Sequence, residues 1–206
     1  MLSYRLISKE DHPKLRRLLE ESFPPEETLP FEFYVSDFRN LGIHVEGAYR
    51  ENELVGFLHY IVRPEFVYLA FFAFFPKERG KGYGRESLAY LKSLFLDRPI
   101  CIDRELIDPS LPDNAIRVKR REFYMRSGLF DQNSYQVQNG IIFQTMSTPG
   151  FKFAPLKATI DELSSGGDPR YRAYYFQSLE EAESFRAQWQ ETIEEKHREW
   201  LGSQGE

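Results

Sequence analysis

The chain has 206 residues, of which 41% are hydrophobic and 16% aromatic, with a formal net charge of -5 at pH 7. This content predicts one packed globular domain, or one domain with an appendage, and argues against a disordered chain. The acidic balance gives no reason to expect a nucleic acid or an anionic membrane as partner.

The first part of the chain predicts a strand followed by a helix. The segment SYRLI predicts the first strand, and Ser8 is expected to be the N-cap of the helix. We expect this helix to end at Pro24-Pro25, since proline interrupts helical hydrogen bonding. Its apolar face carries Leu15, Leu18, Leu19 and Phe23.

Strand patterns then dominate up to Ser147. IHVEGAY and LVGFLHYIV, joined by the polar turn RENE, predict a β-hairpin. FVYLAFFAFF is bulky on both faces and predicts a central strand covered on both sides. PICID predicts a second, shorter central strand. YQVQNGIIFQTMS predicts a hairpin that turns at its Asn-Gly pair.

The organisation changes after Ser147. The segment from Thr148 to Phe176 predicts no defined element, and a final helix is expected from Ser178 to Gly202 with a capping box. We therefore predict two parts, residues 1-147 and a C-terminal extension, residues 148-206. The helix must pack on the domain's own sheet or on another protomer, so a homodimer through the extension is possible. Its apolar stripe carries Phe185, Trp189, Ile193 and Trp200.

Several features indicate a cytoplasmic protein. The single cysteine, Cys101, cannot form an internal disulfide, which fits a reducing compartment, and its apolar strand predicts a core position. The N-terminal residues are charged throughout and lack the apolar centre of a signal peptide. The longest apolar run, Phe66 to Phe75, is half the length of a membrane helix.

A loop rich in glycine and basic residues lies between the central strand and the next helical pattern. Its glycines permit a tight turn and expose the backbone N–H groups of a helix N-terminus, which favour an anion. Basic side chains add charge-assisted hydrogen bonds to phosphate. The loop consists of Arg79, Gly80, Lys81, Gly82, Tyr83, Gly84 and Arg85.

The loop predicts a pyrophosphate cradle, and two familiar alternatives fit poorly. A P-loop needs a Gly-Lys-Ser/Thr ending, which is missing, and the dinucleotide fingerprint needs glycine where Arg85 stands. The structural alternative is a glycine-rich turn with a solvated basic rim.

The Arg-x-x-Gly-x-Gly pattern that starts at Arg79, after an apolar strand ending in Pro76, resembles the acyl-CoA motif of the GNAT acyltransferase superfamily. The segment REFYMRSGLF, with Tyr124 and Gly128, is similar to a second part of that family. The resemblance extends from Met1 to about Ser147. One departure is Arg117, where the family often has asparagine.

The resemblance implies an α/β (α+β) fold and a set of site residues. The fold would be a mixed, mostly antiparallel sheet of about seven strands flanked by helices. Residues 79–85 would hold the pyrophosphate of acetyl-CoA. The strand segment Phe72, Ala73 and Phe74 would pair with the pantetheine amides, and the N–H of Phe74 would polarise the thioester carbonyl. Tyr124 would protonate the departing thiolate; its structural alternative is a tyrosine that anchors a helix.

The acceptor side is less defined. Glu26 and Glu27 could bind a cationic amine, or they could be first-turn acids that favour a helix N-terminus. Asp103 and Glu105 are alternative bases. The basic run Arg117 to Arg121 could reach the 3′-phosphate of CoA or an acidic substrate, or be a solvated helix face. The four histidines lack metal-ligand spacing, so no metal is expected.

Two functions remain open. The first is an N-acetyltransferase that moves the acetyl group of acetyl-CoA to an amine of a small molecule or peptide by direct attack in a ternary complex. The second is a non-catalytic acyl-CoA-binding module with a regulatory or sensor role. Tyr124 favours the first, and the lack of an identifiable base favours the second.

Overall fold

The computed structural model describes residues 1–165 and 167–203, without the side chains of Glu26 and Ser203. It divides into two compact units, Met1–Ile102 and Asp103–Glu206, each of which is described by itself. The boundary expected after residue 147 stays a prediction.

The first unit is a sheet with helices. Its strand order is β1-β2-β3-β4-β5, in which neighbours are antiparallel except β4 and β5, which are parallel. The strands are β1 (Ser3–Arg5), β2 (Ile43–Arg50), β3 (Glu53–Val62), β4 (Val67–Phe74) and β5 (Ile100–Glu105), which runs on past Ile102. The helices are α1 (His12–Ser22), α2 (Phe31–Val35) and α3 (Tyr83–Leu94).

The strands after β5 in the second unit have the order β7-β6-β8. Strand β6 is antiparallel to both β7 and β8. Its strands and helices are α4 (Asn114–Arg126), β6 (Phe130–Gln138), β7 (Ile141–Ser147), α5 (Phe153–Leu163), β8 (Tyr174–Phe176), α6 (Leu179–Ala187) and α7 (Trp189–Ser203). The predicted mixed, mostly antiparallel fold flanked by helices is confirmed, with eight strands among the described residues.

An apolar cluster joins α1 to the sheet of the first unit. Leu15 and Leu18 are fully buried and belong to one cluster with Tyr34, Phe57 and Phe75. The 3.6-residue spacing of the leucines and the alternation along β3 and β4 both direct apolar side chains at this layer. This packing fixes the end of β4, where the glycine loop begins.

The start of α1 differs from the sequence prediction. Ser8 does not cap α1, because a 3-10 turn at Lys9–Asp11 comes first and Asp11 is the N-cap residue. The Asp11 carboxylate makes no cap hydrogen bond, since it accepts from the hydroxyl of Tyr49 at 3.2 Å and from Lys14 at 2.7 Å. The first strand is also shorter than SYRLI.

The single C-terminal helix predicted from the sequence is wrong, because the chain forms α6 and α7 with a break at Gln188. The capping box is confirmed, with the Ser178 hydroxyl accepting from Glu181 N–H at 3.1 Å. The last helix includes Gly202. The segment without a predicted element contains α5 and β8.

Helix α6 packs on the strands of its own unit. Ala182 is fully buried in a cluster with Val137 and Ile142, and Phe185 and Trp189 border this cluster. The first part of the apolar stripe is thereby covered within one chain, while the homodimer stays a prediction. Within the described ranges, every helix is too short or too polar to cross a bilayer.

Candidate active site

The glycine loop has the backbone geometry that an anion needs. Gly80 and Gly82 have φ values of 76° and 85°, which side chains with a Cβ adopt only with strain. Apart from each glycine itself and its chain neighbours, no described protein atom lies within 4 Å of the position that a Cβ would take on Gly80 or Gly82. Gly82 is the N-cap of α3, and its carbonyl accepts from Glu86 N–H at 3.0 Å. The N–H groups of residues 83–85 therefore have no acceptor inside the helix.

The basic side chains of the loop have different surroundings. Arg79 donates from Nε to the carbonyl oxygen of Phe74 at 3.1 Å, which ties the loop to the end of β4. Lys81 Nζ lies 3.0 Å from a carboxylate oxygen of Glu78. Arg85 is exposed. The loop thus combines one arginine that supports the backbone with two cations that retain donors facing solvent.

Strand β4 presents alternate backbone groups to its two edges. Phe75 N–H donates to the carbonyl of Val55 at 3.1 Å, so Ala73 also faces β3, since antiparallel ladders alternate. Phe72 and Phe74 direct their N–H groups to the other edge. The bond from Arg79 to the Phe74 carbonyl agrees with this orientation.

The other edge of β4 is paired with β5 only at its beginning. The parallel register joins Val67 to Ile100 and Tyr68 to Cys101, and it extends no further among the described residues of the first unit. A register shift against β3 leaves Ala70 as an extra residue in β4. Within the first unit, the edge beside Phe72 and Phe74 therefore has no pairing with another described strand, and a free strand edge can accept an added extended strand.

Tyr124 lies in the second unit, near the end of α4. Only 6% of its surface is exposed, and burial raises the pKa of its hydroxyl to about 12, although Arg120 and Arg104 lower it. A phenol with this pKa stays protonated at neutral pH and can donate a hydrogen bond.

The candidate acceptor-side carboxylates lie in two parts of the chain. Glu27 ends a 3-10 turn at Pro25–Glu27 and does not lie in the first turn of an α-helix. The side chain of Glu26, in the same turn, lies outside those that the structure describes. Asp103 accepts from the Thr145 hydroxyl at 2.6 Å and from the hydroxyl of Tyr175. Glu105 pairs with Arg120.

The basic run Arg117 to Arg121 makes contacts inside the second unit. Arg117 pairs with Asp113 at 2.9 Å and donates to the carbonyl of Leu106 at 2.8 Å. Arg120 pairs with Glu105, and Arg121 bonds Asp131 at 2.7 Å. The arginines of this run therefore connect α4 to its own sheet.

Sequence reasoning missed two charged residues beside the glycine loop. Arg50, at the end of β2, lies 3.4 Å from the hydroxyl of Tyr83 and 3.6 Å from Glu78. Glu78 directly precedes the motif and is 3% exposed. No local pattern could find Arg50, because only the pairing of β2, β3 and β4 brings it to the loop.

Two further sequence candidates lie in the core of the first unit. Cys101 is buried, with its sulfur 3.5 Å from the carbonyl oxygen of Val67. His59 is buried as well, and neither ring nitrogen has a hydrogen-bond partner in the described structure. Among the described side chains, no group of three histidine, cysteine, aspartate or glutamate residues could hold a metal ion.

Comparisons with solved structures show similar folds. A protein from Bacteroides thetaiotaomicron assigned to the GNAT family of acetyltransferases is 27% identical, with a TM-score of 0.62, and the match covers 79% of this chain and 96% of that chain. Arabidopsis thaliana Naa50, in complex with the bisubstrate analogue CoA-Ac-MVNAL, is 15% identical with a TM-score of 0.53, covering 71% and 97%. An aminoglycoside 6'-N-acetyltransferase complexed with coenzyme A is 16% identical with a TM-score of 0.57, covering 74% and 98%.

The sequence itself matches a protein family. No curated protein matches this chain significantly. The model of the acetyltransferase (GNAT) family matches residues 12–123, which is more than half of the chain and includes the glycine loop, β4 and most of α4. The chain therefore belongs to the GNAT acetyltransferase family.

Proposed function

We propose that this protein transfers the acetyl group of acetyl-CoA to an amine of a small-molecule or peptide acceptor by direct attack in a ternary complex. Membership of the acetyltransferase family supports acetyl transfer in general. The observation that carries the proposal is the unpaired edge of β4 next to the α3 N-terminus, within one unit.

The donor would bind along this edge. The N–H groups of the first turn of α3 and the glycine loop would receive the pyrophosphate, where the helix dipole favours negative charge. The pantetheine amides would pair with the backbone of Phe72 and Phe74, the two residues that face the free edge. Ala73 lies between these two residues, but its backbone groups face β3. It would therefore contribute to the pantetheine site only by holding Phe72 and Phe74 in place. The Phe74 N–H would then polarise the thioester carbonyl.

The transfer forms a carbon–nitrogen bond and breaks the carbon–sulfur bond. The acceptor nitrogen attacks the carbonyl carbon, the thiolate of CoA leaves, and the Tyr124 hydroxyl donates to its sulfur. A phenol of pKa about 12 is a weaker acid than a thiol near 8.5. Tyr124 can therefore give its proton to the sulfur only if it receives another proton in exchange. That proton comes from the newly acylated nitrogen, which is acidic. In sum, one proton moves from nitrogen to sulfur.

The acceptor would enter beside the loop that follows α1. Glu27, with Glu26 in the same turn, would attract a cationic amine. The solved neighbours carry a peptide-like bisubstrate analogue in one case and are named for an aminoglycoside in another. One fold thus serves chemically different acceptors, so the loop side chains would set the choice.

A non-catalytic role is favoured by one observation. Asp103 and Glu105, two carboxylates that could act as the base, are engaged by hydroxyl groups and by Arg120 respectively. A protein that binds acetyl-CoA but lacks a free base would act as an acyl-CoA sensor. This alternative predicts tight binding of acetyl-CoA without transfer.

The test is an acceptor screen with detection of the free thiol of CoA. We expect acetyl-CoA to raise the melting temperature and at least one amine class to release CoA at a rate above hydrolysis. Binding without release to any small amine or peptide N-terminus would replace this proposal by the sensor function. No thermal shift with millimolar acetyl-CoA would contradict both functions.

A further inference from the structure

We propose that Arg50 is a further phosphate-binding residue of the donor site, and that buried Glu78 is the positioning residue that holds Arg50 and Lys81 beside the glycine loop. The inference rests on the proposed binding of CoA. It assigns a ligand contact to the β2–β3 hairpin and a role to a carboxylate next to an anion site.

Glu78 is placed below the loop by the backbone. It ends a 3-10 turn at Pro76–Glu78, and its N–H donates to the carbonyl of Phe75 at 2.8 Å. Its carboxylate is 3% exposed and lies 3.0 Å from Lys81 Nζ and 3.6 Å from Arg50 Nη1. A buried carboxylate is costly without cationic partners, and here two cations from separate segments satisfy it.

Arg50 reaches the entrance of α3 from another part of the sheet. Its Nη1 lies 3.4 Å from the hydroxyl of Tyr83, the first residue of α3. Its Nη2 lies 3.8 Å from Glu53, which also pairs with Lys77 at 3.0 Å. The guanidinium group therefore contacts the side chain of the first residue of α3 and the carboxylate that directly precedes the glycine loop.

Both cations keep donors for a ligand. Their side chains are 42% and 43% exposed, although each touches the buried carboxylate. An ammonium group has three donors and a guanidinium group has five. The contact of Lys81 with Glu78, and the contacts of Arg50 with Glu78, Tyr83 and Glu53, therefore leave donors on both side chains that can reach a phosphate oxygen. Glu78 thus acts on the two cations from the protein side, while the ligand would contact them from the solvent side.

This arrangement lowers the entropic cost of binding. A long basic side chain that is free in solution loses rotamer freedom when it orders on a ligand. Arg50 and Lys81 are ordered in advance by a carboxylate that is itself fixed by burial. The carboxylate also has an opposing effect, because its negative charge repels phosphate. The two effects predict changes of opposite sign when the charge of Glu78 is removed.

The first experiment measures binding of CoA and dephospho-CoA to Arg50→Ala by calorimetry. We expect about a 10-fold rise in Kd, the scale of one charge-assisted hydrogen bond, together with a weaker dependence on salt. Because Arg50 contacts Tyr83 and Glu78 beside the glycine loop that would hold the pyrophosphate, the rise should be equal for both ligands. A rise seen only with CoA would place Arg50 at the 3′-phosphate and overturn the assignment to the pyrophosphate.

The matched control is Arg39→Ala. Arg39 is 51% exposed and pairs with Asp37 at 2.6 Å, so it has similar exposure and a similar carboxylate partner away from the loop. Its Kd for CoA should equal that of the wild type. An unchanged Kd in Arg50→Ala, with the wild type binding CoA, would overturn only this inference. Failure of the wild type to bind CoA would contradict the proposed function itself.

The second experiment tests Glu78→Gln, which keeps the shape and removes the charge. Positioning predicts a several-fold weaker binding of CoA, a higher KM for acetyl-CoA and an unchanged kcat. In the Arg50→Ala, Lys81→Ala background the same substitution should have no further effect, since its targets are gone. Tighter binding in Glu78→Gln, or an effect that persists in that background, would overturn the positioning role.

Discussion

The N–H of Leu129 donates to the carbonyl oxygen of Tyr124 at 3.0 Å, and the N–H of Gly128 donates to that of Met125 at 2.9 Å. With Gly128 at φ 79°, these two bonds form a Schellman motif that ends α4. Leu129 is fully buried. The four-residue spacing of Tyr124 and Gly128 in FYMRSGLF is thus the spacing that a Schellman motif requires. This helix end orients Tyr124.

We expect Gly128→Ala to destabilise the fold by about 1 kcal/mol, since a Cβ disfavours the left-handed conformation. Thermal unfolding at fixed pH measures the change. Gly202→Ala is the control, because within the described part of the chain no atom outside its own helix turn lies near its Cβ position and Gly202 lies in a helix, where alanine is favourable. Equal melting temperatures for the Gly128 variant and the wild type would contradict the cap argument.

Local chemistry made much of this molecule predictable from its sequence. The apolar strand, the glycine loop and the helix after it follow from backbone requirements that act over a few residues. The hairpin at Asn139-Gly140 follows from two residues with positive φ, which the structure has at 51° and 71°. Tyr124 was identified through a resemblance, and its role stays a proposal.

Other features depend on contacts that a linear pattern does not contain. Arg50 reaches Tyr83 only because β2 pairs with β3 and β3 pairs with β4. The break at Gln188 interrupts a stretch whose sequence pattern predicts one continuous helix. At this break, Trp189 packs against Phe185 and Tyr174. In both cases tertiary contacts decide the outcome, and local propensity alone leaves it open.

The backbone of the glycine loop gives a second prediction. Gly82→Val should abolish the thermal shift caused by CoA, because a β-branched side chain resists φ 85° and fills the open space above the loop. At a 100-fold excess over Kd the wild type should gain about 2.7 kcal/mol. Gly150→Val is the control, a glycine at φ 97° with equally open space outside the loop. Retention of the full shift in Gly82→Val would contradict the cradle.

The buried His59 gives a pH dependence of stability. Burial lowers the pKa of His59 from 6.5 to about 4. Between these two pH values the imidazole is protonated in the unfolded chain and neutral in the folded chain. Stability therefore falls as the pH drops below 6.5, and the loss should reach about 2 kcal/mol between pH 7 and pH 5. His59→Phe, which keeps a ring to stack on Phe71, should remove this part of the loss.

Chemical unfolding at both pH values measures the effect of His59. His12→Gln, which removes a partly exposed imidazole, should leave the difference between the two pH values in place. If the His59 variant loses as much stability on acidification as the wild type, the imidazole is not the group responsible. A water molecule hydrogen-bonded to the His59 ring in solution would be one physical reason for that outcome.

Tyr124→Phe tests the proposed chemistry and separates the two functions. The ring and its packing remain, so CoA affinity should stay unchanged while the hydrogen bond to the departing sulfur is lost. A general acid contributes typically 10²- to 10⁴-fold, but a thiolate already leaves readily near neutral pH. We expect a decrease in kcat on the order of 10²-fold at saturating acetyl-CoA, and a smaller decrease at high pH, where the thiolate needs no proton.

The matched control for this variant is Tyr49→Phe, which also removes a buried tyrosine hydroxyl. That hydroxyl donates to Asp11 at 3.2 Å in the first unit, so the control should lose stability without losing turnover. A comparison of kcat with KM then isolates chemistry from binding, because a residue that only binds substrate would raise KM and preserve kcat.

If Tyr124→Phe turns over as fast as the wild type on a confirmed acceptor, Tyr124 anchors the end of α4 and another group stabilises the leaving sulfur. If both proteins bind acetyl-CoA and neither transfers, the intact Tyr124 hydroxyl belongs to an acyl-CoA sensor.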